Sequence, residues 1–266
     1  MNENDYTKLM KNKTILVTGS SGHLGRSIVK QFANAGARLI LADSKCSEET
    51  KQEIQRYESI GLSVKFLEVN LELQESRNNL ADFVNKNSEC LDVLVNNAAF
   101  VGDSALTGWN TDFQSQSIET WNRALEVNLT SAFDLSKQLF EKLKQAEDPN
   151  IINIGSIYAS NAPKMNLYKN TDMHNPAAYA SSKAGLLQLT KWLAVNMAPK
   201  VRVNMISPGG ILRNQPQVFI ERYSHSTPLA RMATENDVSN SVYYLSTSLA
   251  SYITGINLKV DGGWSL

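Results

Sequence analysis

Thr14-Ile-Leu-Val-Thr-Gly-Ser-Ser-Gly-His-Leu-Gly25 is the stretch of sequence that decides the fold of this chain. It passes from an uninterrupted apolar run into a turn with three glycines, and an amphipathic stretch follows at 24–35. An apolar run without alternation predicts a strand that is buried on both faces, as in a parallel sheet. The order of strand, glycine-rich turn and helix predicts the start of a βαβ unit.

The alternation of short apolar runs with longer amphipathic stretches continues along the whole chain. Apolar runs stand at 14–17, 38–42, 64–69, 91–95, 151–154, 201–206 and 256–260. Helical patterns stand at 24–35, 118–143, 177–197 and 237–246. We predict an α/β fold with a Rossmann-like, doubly wound parallel sheet of about seven strands and helices on both faces. No repeat or linker divides the chain, so residues 1–266 are expected to form a single domain.

Composition and charge exclude several classes of function. The 266 residues include 26 Lys+Arg and 26 Asp+Glu, so the formal net charge is zero. A neutral chain lacks the basic excess that binding to nucleic acid or to an anionic membrane surface requires. Two cysteines, Cys46 and Cys90, make neither a disulfide framework nor a zinc site, and the three histidines have no second ligand at metal spacing. We expect no metal and no nucleic-acid partner.

The N-terminal segment gives no sign of targeting. Its first 13 residues are polar and lack the apolar core of a signal peptide. No window approaches the run of about 18 apolar residues that a membrane span needs. We therefore expect a cytoplasmic protein without a membrane partner.

The glycine-rich turn is a candidate nucleotide site. Its glycines let the backbone approach a bound pyrophosphate, and the first turn of the following helix offers free N–H groups to it. A tight turn without a ligand is the alternative, but the strand before it and the helix after it favour the nucleotide. We assign to cofactor binding the residues Gly19, Ser21, Gly22, His23, Leu24 and Gly25.

Asp43 ends the second apolar run, 18 residues after Gly25. An acidic side chain at about this place accepts hydrogen bonds from the adenosine ribose hydroxyls and repels a 2′-phosphate. We therefore predict NAD rather than NADP as the cofactor, although Lys45 nearby would soften the exclusion. The alternative is that Asp43 only caps the next helix.

Five elements, each at the expected strand or helix end, resemble the short-chain dehydrogenase/reductase family. They are Thr18-Gly-Ser-Ser-Gly-His-Leu-Gly25, Asn96-Asn-Ala-Ala99, Asn128, Ser156 and Tyr179-Ala-Ser-Ser-Lys183. The resemblance runs from Lys13 to Trp264 and implies an oxidoreductase that uses NAD(P) and a small-molecule substrate. It also implies a homodimer or homotetramer in which the helices at 118–143 and 177–197 pair between subunits.

Tyr179 and Lys183 are four residues apart, so they project from the same face of a helix. A free phenol has a pKa of about 10, and a neighbouring ammonium lowers that pKa toward the working range. A surface helix turn would give the same spacing. Ser156 argues against that alternative because it follows the strand at 151–154, at the sheet edge where ligands bind. Its hydroxyl can donate a hydrogen bond to a carbonyl oxygen during hydride transfer.

The resemblance implies further roles at matching positions. Asn128 would break its helix locally and hold a water that connects to Lys183, which also reaches the nicotinamide ribose. The implied catalytic residues are Asn128, Ser156, Tyr179 and Lys183. The implied cofactor residues beyond the turn and Asp43 are Asn70, Leu71, Asn97, Ala98, Ala99, Tyr179, Lys183, Pro208, Gly209 and Ile211. Three positions depart from the usual family residues, namely Asn70, Ala99 and Gly155.

Two segments carry the expectations about substrate. Ser156 and Tyr179 are 23 residues apart, more than is usual in the family, and we call residues 160–176 the insert. We call residues 209–232 the lid, because an irregular stretch of this length with aromatics and prolines suits a mobile cover. Basic and amide side chains in both segments predict a polar substrate of the sugar or sugar-phosphate type, and hence a role in carbohydrate metabolism. The basic residues are Lys164, Lys169, His174, Arg213, Arg222 and Arg231.

We assign substrate contact to Ser156, Tyr158, Tyr179, Gly210 and Arg213. For the insert, a solvated excursion without substrate contact is the alternative. The insert and lid also look like a subgroup of the family associated with bacterial surface-sugar and nonulosonate pathways.

We therefore predict an NAD-dependent oxidoreductase that interconverts a secondary alcohol and a ketone. Two alternatives stay open. A sugar epimerase or dehydratase would return the hydride to its own substrate, with no net change in NADH. A dinucleotide-sensing protein would keep the fold without turnover, although it would need none of Ser156, Tyr179 and Lys183.

Overall fold

A computed structural model of the chain describes residues 9–100 and 106–266. Most of the polar N-terminal segment, residues 1–8, lies outside these ranges, so the expectation about targeting falls partly outside the described residues. Within them, no helix is both long enough and apolar enough to cross a membrane.

The described residues form a seven-stranded sheet in which every neighbouring pair is parallel. The strands are β1 (Thr14–Thr18), β2 (Arg38–Asp43), β3 (Val64–Glu68), β4 (Val93–Asn96), β5 (Asn150–Ile154), β6 (Arg202–Pro208) and β7 (Asn257–Val260). Their order is β3-β2-β1-β4-β5-β6-β7. Each strand begins and ends within two residues of the apolar run that predicted it, so the predicted Rossmann-like sheet is confirmed.

Nine helices accompany the sheet in the described part of the chain. They are α1 (His23–Asn34), α2 (Glu48–Ser59), α3 (Gln74–Asn87), α4 (Ile118–Leu125), α5 (Ser131–Gln138), α6 (Phe140–Lys144), α7 (Ala177–Met197), α8 (Gln217–His225) and α9 (Glu235–Ser246). Strand β1 shows how the two faces are covered, because successive side chains of a strand point to opposite sides. Ile15 packs in one core with Phe32 of α1, whereas Leu16 packs in the other core with Leu135 of α5.

The long helix expected at 118–143 is interrupted. It is divided into α4, a π-helical turn at Glu126–Thr130, α5 and the short α6. A π turn carries one extra residue per turn and is frequent at functional sites. Here it contains Asn128, which is the residue for which a local break was expected.

The irregular path expected for the lid is wrong in its middle part, where α8 forms. Phe219 and Tyr223 stand four residues apart on this helix and are both buried, so one face of α8 packs against the protein. A backbone hydrogen bond also joins the beginning of the lid to the residue that follows its end. Leu212 donates it to the carbonyl of Ala233.

The strand order places the site. Strands β1 and β4 are neighbours, and the strand order runs from them in opposite directions, through β2 to β3 on one side and through β5 to β7 on the other. A crevice forms beyond the carboxyl ends of the strands at such a switch point. The glycine-rich turn follows β1, and Asn96 ends β4, so both predicted nucleotide motifs lie at this crevice.

Candidate active site

The three glycines of the turn have different physical reasons to be glycine. Gly19 has φ +63°, and a Cβ there would lie 2.7 Å from the Cα of Ala98. A Cβ on Gly25 would lie 2.0 Å from the carbonyl oxygen of Gly19. Gly22 differs, because a Cβ there would meet nothing closer than 3.5 Å. Packing therefore explains Gly19 and Gly25, whereas Gly22 borders the open crevice.

The start of α1 has features that fit a bound phosphate-bearing cofactor. Gly22 occupies the N-cap position, and no side chain caps the helix, so the first N–H groups are available to a ligand. Ser21 has a buried hydroxyl without a hydrogen-bond partner among the described residues. A buried orphan hydroxyl is costly unless a ligand satisfies it.

Asp43 is held beside this turn. Its Oδ2 accepts a hydrogen bond of 2.8 Å from the backbone N–H of Ser21, and its Oδ1 accepts one of 2.7 Å from that of Ser44. The carboxylate is therefore oriented at the end of β2 instead of capping a helix, because Ser47 is the residue that caps α2.

A small cavity of about 180 Å³ adjoins Asp43. The predicted residues that line it are Asp43, Asn70, Leu71, Ala98 and Ala99. Asn70 uses its side-chain carbonyl to accept a hydrogen bond of 3.0 Å from the backbone N–H of Glu72. The side-chain oxygen with which Asn70 could accept a hydrogen bond from a cofactor thus already has one partner in the chain.

Asn97 ties β4 to the glycine-rich turn. Its Nδ2 donates to the carbonyl oxygens of Thr18 at 3.0 Å and of Gly19 at 2.9 Å. These bonds fix the carbonyls on the floor of the crevice, so Asn97 has a structural role there in addition to bordering the cavity.

One cavity of about 390 Å³ is lined by most of the predicted residues, and we call it the main cavity for that reason. From the nucleotide side it is lined by Gly22, His23, Leu24, Gly25, Asn97 and Ala99. From the chemical side it is lined by Ser156, Tyr158, Tyr179, Lys183, Pro208, Gly209, Gly210, Ile211 and Arg213. Asn128 is buried behind this cavity and does not line it.

Lys183 is the most deeply buried charged group of the site, with 2% of its surface exposed. Its Nζ donates a hydrogen bond of 2.7 Å to the carbonyl oxygen of Ile154, at the end of β5. Burial disfavours the ammonium and lowers the pKa of Lys183 to about 8.

Tyr179 behaves differently from the expectation that Lys183 lowers its pKa. Burial raises the pKa of Tyr179, and a hydrogen bond with Ser156 is the contact that acts in the opposite direction. The Lys183 ammonium lies 6.0 Å from the centroid of the Tyr179 ring and is bonded to Ile154. The phenol is thus a protonated acid at neutral pH in this state of the protein.

Asn128 connects to the helix that carries this pair. Its Oδ1 accepts a hydrogen bond of 2.7 Å from the backbone N–H of Phe100, and its Nδ2 donates one of 2.9 Å to the hydroxyl of Ser182. Ser182 in turn donates to the backbone carbonyl of Tyr179. Asn128 therefore holds α7 at the turn between Tyr179 and Lys183, and its side chain contacts neither residue directly.

Ser156 is buried at the carboxyl end of β5. Its Oγ accepts a hydrogen bond of 3.1 Å from the backbone N–H of Tyr158, so its hydroxyl proton can be donated to Tyr179 or to a substrate oxygen. The preceding Gly155 stands where the resemblance implied a serine, and the reason is local packing. A Cβ on Gly155 would lie 1.7 Å from Cε of Met205.

Nine residues line the main cavity that were not assigned to it from sequence, namely Ile154, Gly155 and Ile157 near the end of β5 and six residues of the insert and lid. The six residues of the insert and lid are Tyr168, Met173, Gln215, Phe219, Tyr223 and Met232. The aromatic side chains in the insert and lid were a signal that could have identified several of them. The prediction about substrate relied on the basic residues of these segments instead.

The basic residues of the insert and lid mostly bind other parts of the protein. Lys164 donates to the carbonyl of Trp264 and lies over its indole ring. Arg222 donates to the carbonyl of Lys169, and Arg231 is paired with Asp237.

The prediction that basic side chains of these segments contact the substrate thus has support from one lining residue only. Arg213 is the one basic lid residue that lines the main cavity, and it is paired with Glu235 at 3.2 Å. In the described part of the chain, moreover, no cluster of His, Cys, Asp or Glu is arranged to hold a metal ion.

The chain is similar to known enzymes over nearly its full length. Residues 19–265 match the model of a family described as enoyl-(acyl carrier protein) reductase. The chain is 31% identical to the 3-oxoacyl-(acyl-carrier-protein) reductase FabG of Aquifex aeolicus, with 96% of this chain and 98% of that protein covered. It is 30% identical to the post-translational flagellin modification protein A of Campylobacter coli, with coverage of 97% and 100%.

Solved structures show the same similarity. The crystal structure of a short chain dehydrogenase from Leptospira borgpetersenii, with bound NAD+, has a TM-score of 0.83 and 29% identity. The match covers 100% of this chain and 98% of that one. Other similar structures were solved with NADP.

Proposed function

The chain belongs to the short-chain dehydrogenase/reductase family, and we propose that it is an NAD-dependent oxidoreductase that interconverts a secondary alcohol and a ketone. One observation carries the proposal. The partly buried Tyr179 and the buried Lys183 face the same cavity as Ser156 and as Gly22 at the start of α1. A proton donor, a carbonyl-binding hydroxyl and a nucleotide-binding turn thus meet in one place.

A nicotinamide dinucleotide fits the residues present. The uncapped start of α1 and the orphan hydroxyl of Ser21 would hold its phosphates, and Asp43 would hold the adenosine ribose. Lys183 and Ile211 would lie at its nicotinamide end. When bound, the cofactor supplies or accepts the hydride. A carboxylate oriented at Asp43 supports NAD, because a 2′-phosphate would be repelled there.

The cofactor preference has its own test. Calorimetry of the wild type is expected to give a lower dissociation constant for NAD than for NADP. Asp43→Ala is expected to reduce the ratio of these two dissociation constants. Asp43→Asn is the matched control, because it keeps an acceptor for the N–H of Ser21 but removes the charge. Equal affinities of the wild type for the two cofactors would refute the assignment of Asp43.

The side chains of the site would perform the proton half of the reaction. In the direction of reduction, the substrate carbon takes the hydride and its oxygen takes the phenolic proton of Tyr179. Ser156 donates a hydrogen bond to the same oxygen as negative charge develops on it. We propose that the Lys183 ammonium, which does not lower the pKa of Tyr179 in the cofactor-free protein, stabilises the tyrosinate once the cofactor is bound. Asn128 keeps α7 in position for both groups.

The cavity supports an uncharged substrate. Its outer wall is formed mainly by the side chains of Tyr158, Tyr168, Met173, Phe219 and Met232. The cations that would neutralise a phosphate bind protein carbonyls and carboxylates instead. The 3-oxoacyl-(acyl-carrier-protein) reductases among the relatives give carbohydrate metabolism no support, although similar structures include a putative gluconate 5-dehydrogenase and an aldohexose dehydrogenase. We therefore propose a neutral ketone or secondary alcohol with an apolar face, and a sugar phosphate loses its support.

The proposal is tested by following NADH absorbance with a panel of neutral ketones, their alcohols, 3-oxoacyl thioesters and sugar phosphates. Tyr179→Phe is expected to lower kcat by at least about 100-fold, the lower range for loss of a general acid. Tyr57→Phe, a change at a buried tyrosine of α2, serves as the matched control. Turnover by Tyr179→Phe at the wild-type rate would overturn the proposal.

The same panel separates the alternatives. Conversion of a substrate to an isomer or dehydrated product without a net change in NADH would identify an epimerase or dehydratase. Binding of NAD without turnover of any compound, in the wild type and in Tyr179→Phe alike, would identify a sensor.

Assembly and location belong to the same proposal. Phe133 of α5 and Val195 of α7 are apolar and exposed, by 43% and 78%, on the helices that would pair in a homo-oligomer. Light scattering would show a monomer if these faces stay uncovered. Cys46 and Cys90 are both free, which fits the reducing environment of the proposed cytoplasmic location.

A further inference from the structure

Two phenols and an amide form a hydrogen-bonded trio on the wall of the main cavity. The hydroxyl oxygens of Tyr158 and Tyr168 lie 2.7 Å apart, and Asn175 donates from Nδ2 to the hydroxyl oxygen of Tyr168 at 3.3 Å. Tyr158 follows the candidate catalytic serine, whereas Tyr168 and Asn175 come from the insert. Both tyrosines line the cavity.

A count of donors and acceptors shows that one hydroxyl proton of this trio is not used in a hydrogen bond within it. The amide N–H of Asn175 can only donate, so the oxygen of Tyr168 accepts that bond. The two phenols share one further bond, in which one of them donates and the other accepts. Whichever phenol donates, the other keeps a hydroxyl proton, and this proton is not donated to the buried Oδ1 of Asn175, which has no hydrogen-bond partner among the described residues. A buried donor without a partner costs free energy unless a ligand accepts from it.

The spare proton belongs to a neutral group. Burial raises the pKa of Tyr158 above its usual value, so this phenol stays protonated at every pH at which the protein is expected to work. The trio therefore offers a hydrogen-bond donor and no negative charge.

The rest of this wall is apolar and rigidly packed. The ring of Tyr168 lies 5.5 Å from that of Phe219 of α8, and the ring of Tyr158 meets Trp264 edge-on at 6.0 Å. Such rings suit an apolar or ring-shaped ligand face, whereas the nearby Lys164 is already bound to Trp264. The wall thus combines one neutral donor with aromatic surface.

From this arrangement we infer that the insert is a substrate-recognition element. Tyr158 and Tyr168 donate one hydrogen bond to a second oxygen of the substrate, and Asn175 is a positioning residue for them. The substrate class is an uncharged ketone or secondary alcohol that carries a further hydroxyl, ether or carbonyl oxygen next to an apolar face. This inference rests on the proposed function for the reacting carbon, but the recognition itself needs no turnover.

The test uses binding of small probes to the protein without cofactor, in which no hydride can be transferred to or from a probe. Dissociation constants are measured by ligand-observed NMR for cyclohexanone, for each of its ring-hydroxylated isomers and for the charged 4-oxocyclohexanecarboxylate. The wild type is expected to bind at least one hydroxylated isomer about fivefold more tightly than cyclohexanone, as one hydrogen bond between neutral groups allows. The carboxylate is expected to bind more weakly than that isomer.

The variants follow from the donor count. Tyr158→Phe and Tyr168→Phe each leave one phenol that can donate to a ligand but has lost the other phenol as a partner. Each variant is therefore expected to keep a reduced preference for the hydroxylated isomer over cyclohexanone. The double variant has no phenolic donor and is expected to bind cyclohexanone and the isomers equally. Tyr57→Phe is the control and keeps the wild-type preference, while thermal unfolding shows whether the variants stay folded.

Two results would overturn the inference. One is a double variant that retains the wild-type preference, and the other is a wild type that does not distinguish the probes or binds none of them. A protein that prefers a hydroxylated isomer but never exchanges hydride with it would instead remove the proposed reaction and leave the recognition element in place.

Discussion

Lys183 donates a hydrogen bond of 2.7 Å from its ammonium nitrogen to the carbonyl oxygen of Ile154. This bond joins the helix that carries Tyr179 to the end of the strand that carries Ser156. It also fixes the ammonium in a buried place where no carboxylate compensates its charge, since burial is the sole cause that lowers its pKa. The protein accepts an unfavourable charge at the point where a phenolate would have to be stabilised.

The buried lysine makes stability depend on pH in a defined window. Lys183 loses its proton at about pH 8 in the folded protein, against 10.5 for an ordinary lysine. Between these values the unfolded chain binds more protons, so the free energy of unfolding rises with pH. We expect the difference in this free energy between wild type and Lys183→Met, without cofactor, to rise by about 3 kcal/mol from pH 8 to 10.5.

Urea titrations at several pH values measure that difference. Taking it between the two proteins removes the contribution of Tyr179, whose pKa is raised by burial and which acts in the opposite sense at higher pH. If the difference did not change with pH across this window, burial would not lower the pKa of Lys183 in the folded protein.

The glycines of the nucleotide turn provide a matched pair of variants. Gly25→Ala places a Cβ 2.0 Å from the carbonyl of Gly19 and is expected to destabilise the cofactor-free protein by about 2 kcal/mol or more. Gly22→Ala meets only an ordinary contact at 3.5 Å, and its φ of −70° suits alanine. We expect Gly22→Ala to keep its stability within about 1 kcal/mol while its affinity for NAD falls at least tenfold.

Urea unfolding and calorimetry with NAD measure the two effects separately. If Gly22→Ala bound NAD as tightly as the wild type, the cofactor would not lie against the start of α1, and the proposed site would have to move.

Gly155 and Met205 are expected to be coupled. Gly155→Ala forces the side chain of Met205 out of its place and is expected to destabilise the protein by about 1–3 kcal/mol. Met205→Ala leaves a cavity in the middle of β6 and lowers the free energy of unfolding by about 2–5 kcal/mol by itself. In the double variant the new methyl group enters space that the side chain of Met205 has left. The loss in free energy of unfolding should therefore be smaller than the sum of the losses in the two single variants. A double-mutant cycle in urea measures the coupling, and strict additivity would contradict it.

Much of the fold could be predicted because its signals are local. Strands such as β5 are continuous runs of Ile and Asn buried on both faces, and α7 begins after Pro176 and ends before Pro199, which limit a helix from either side. The residues of the candidate site could be placed for the same reason. They stand at strand ends or one helical turn apart, so chain position determines spatial position.

The insert and the π turn show where local signals fail. Lys164 and Tyr168 lie in the same irregular segment, and no periodicity states which of them faces the cavity. The choice depends on distant partners, because Trp264 binds the lysine whereas Phe219 packs against the tyrosine. Sequence favoured the charged residue, although a long cation can be satisfied by backbone carbonyls elsewhere.

A buried arginine that the sequence did not reveal provides the last prediction. Arg77 of α3 donates from Nη1 to the carbonyls of Leu71 at 2.8 Å and Glu72 at 3.3 Å, and it contacts Glu126 at 3.1 Å and Asp134 at 2.7 Å. It therefore holds the loop on the small cavity beside Asp43 against the π turn of Asn128. Lysine keeps the charge but lacks the fork that reaches several acceptors at once.

Arg202 offers a control of the same kind away from the site. It is equally buried, pairs with Asp148 at 3.1 Å and donates to the carbonyl of Leu245 at 3.0 Å. Arg77→Lys and Arg202→Lys should each destabilise the protein by about 1–3 kcal/mol in urea. Calorimetry with AMP and with NAD should show weaker binding, by about tenfold, for Arg77→Lys alone, because the loop at Leu71 is released. Equal losses of affinity in both variants would mean that Arg77 acts through general stability and not by positioning the nucleotide loop.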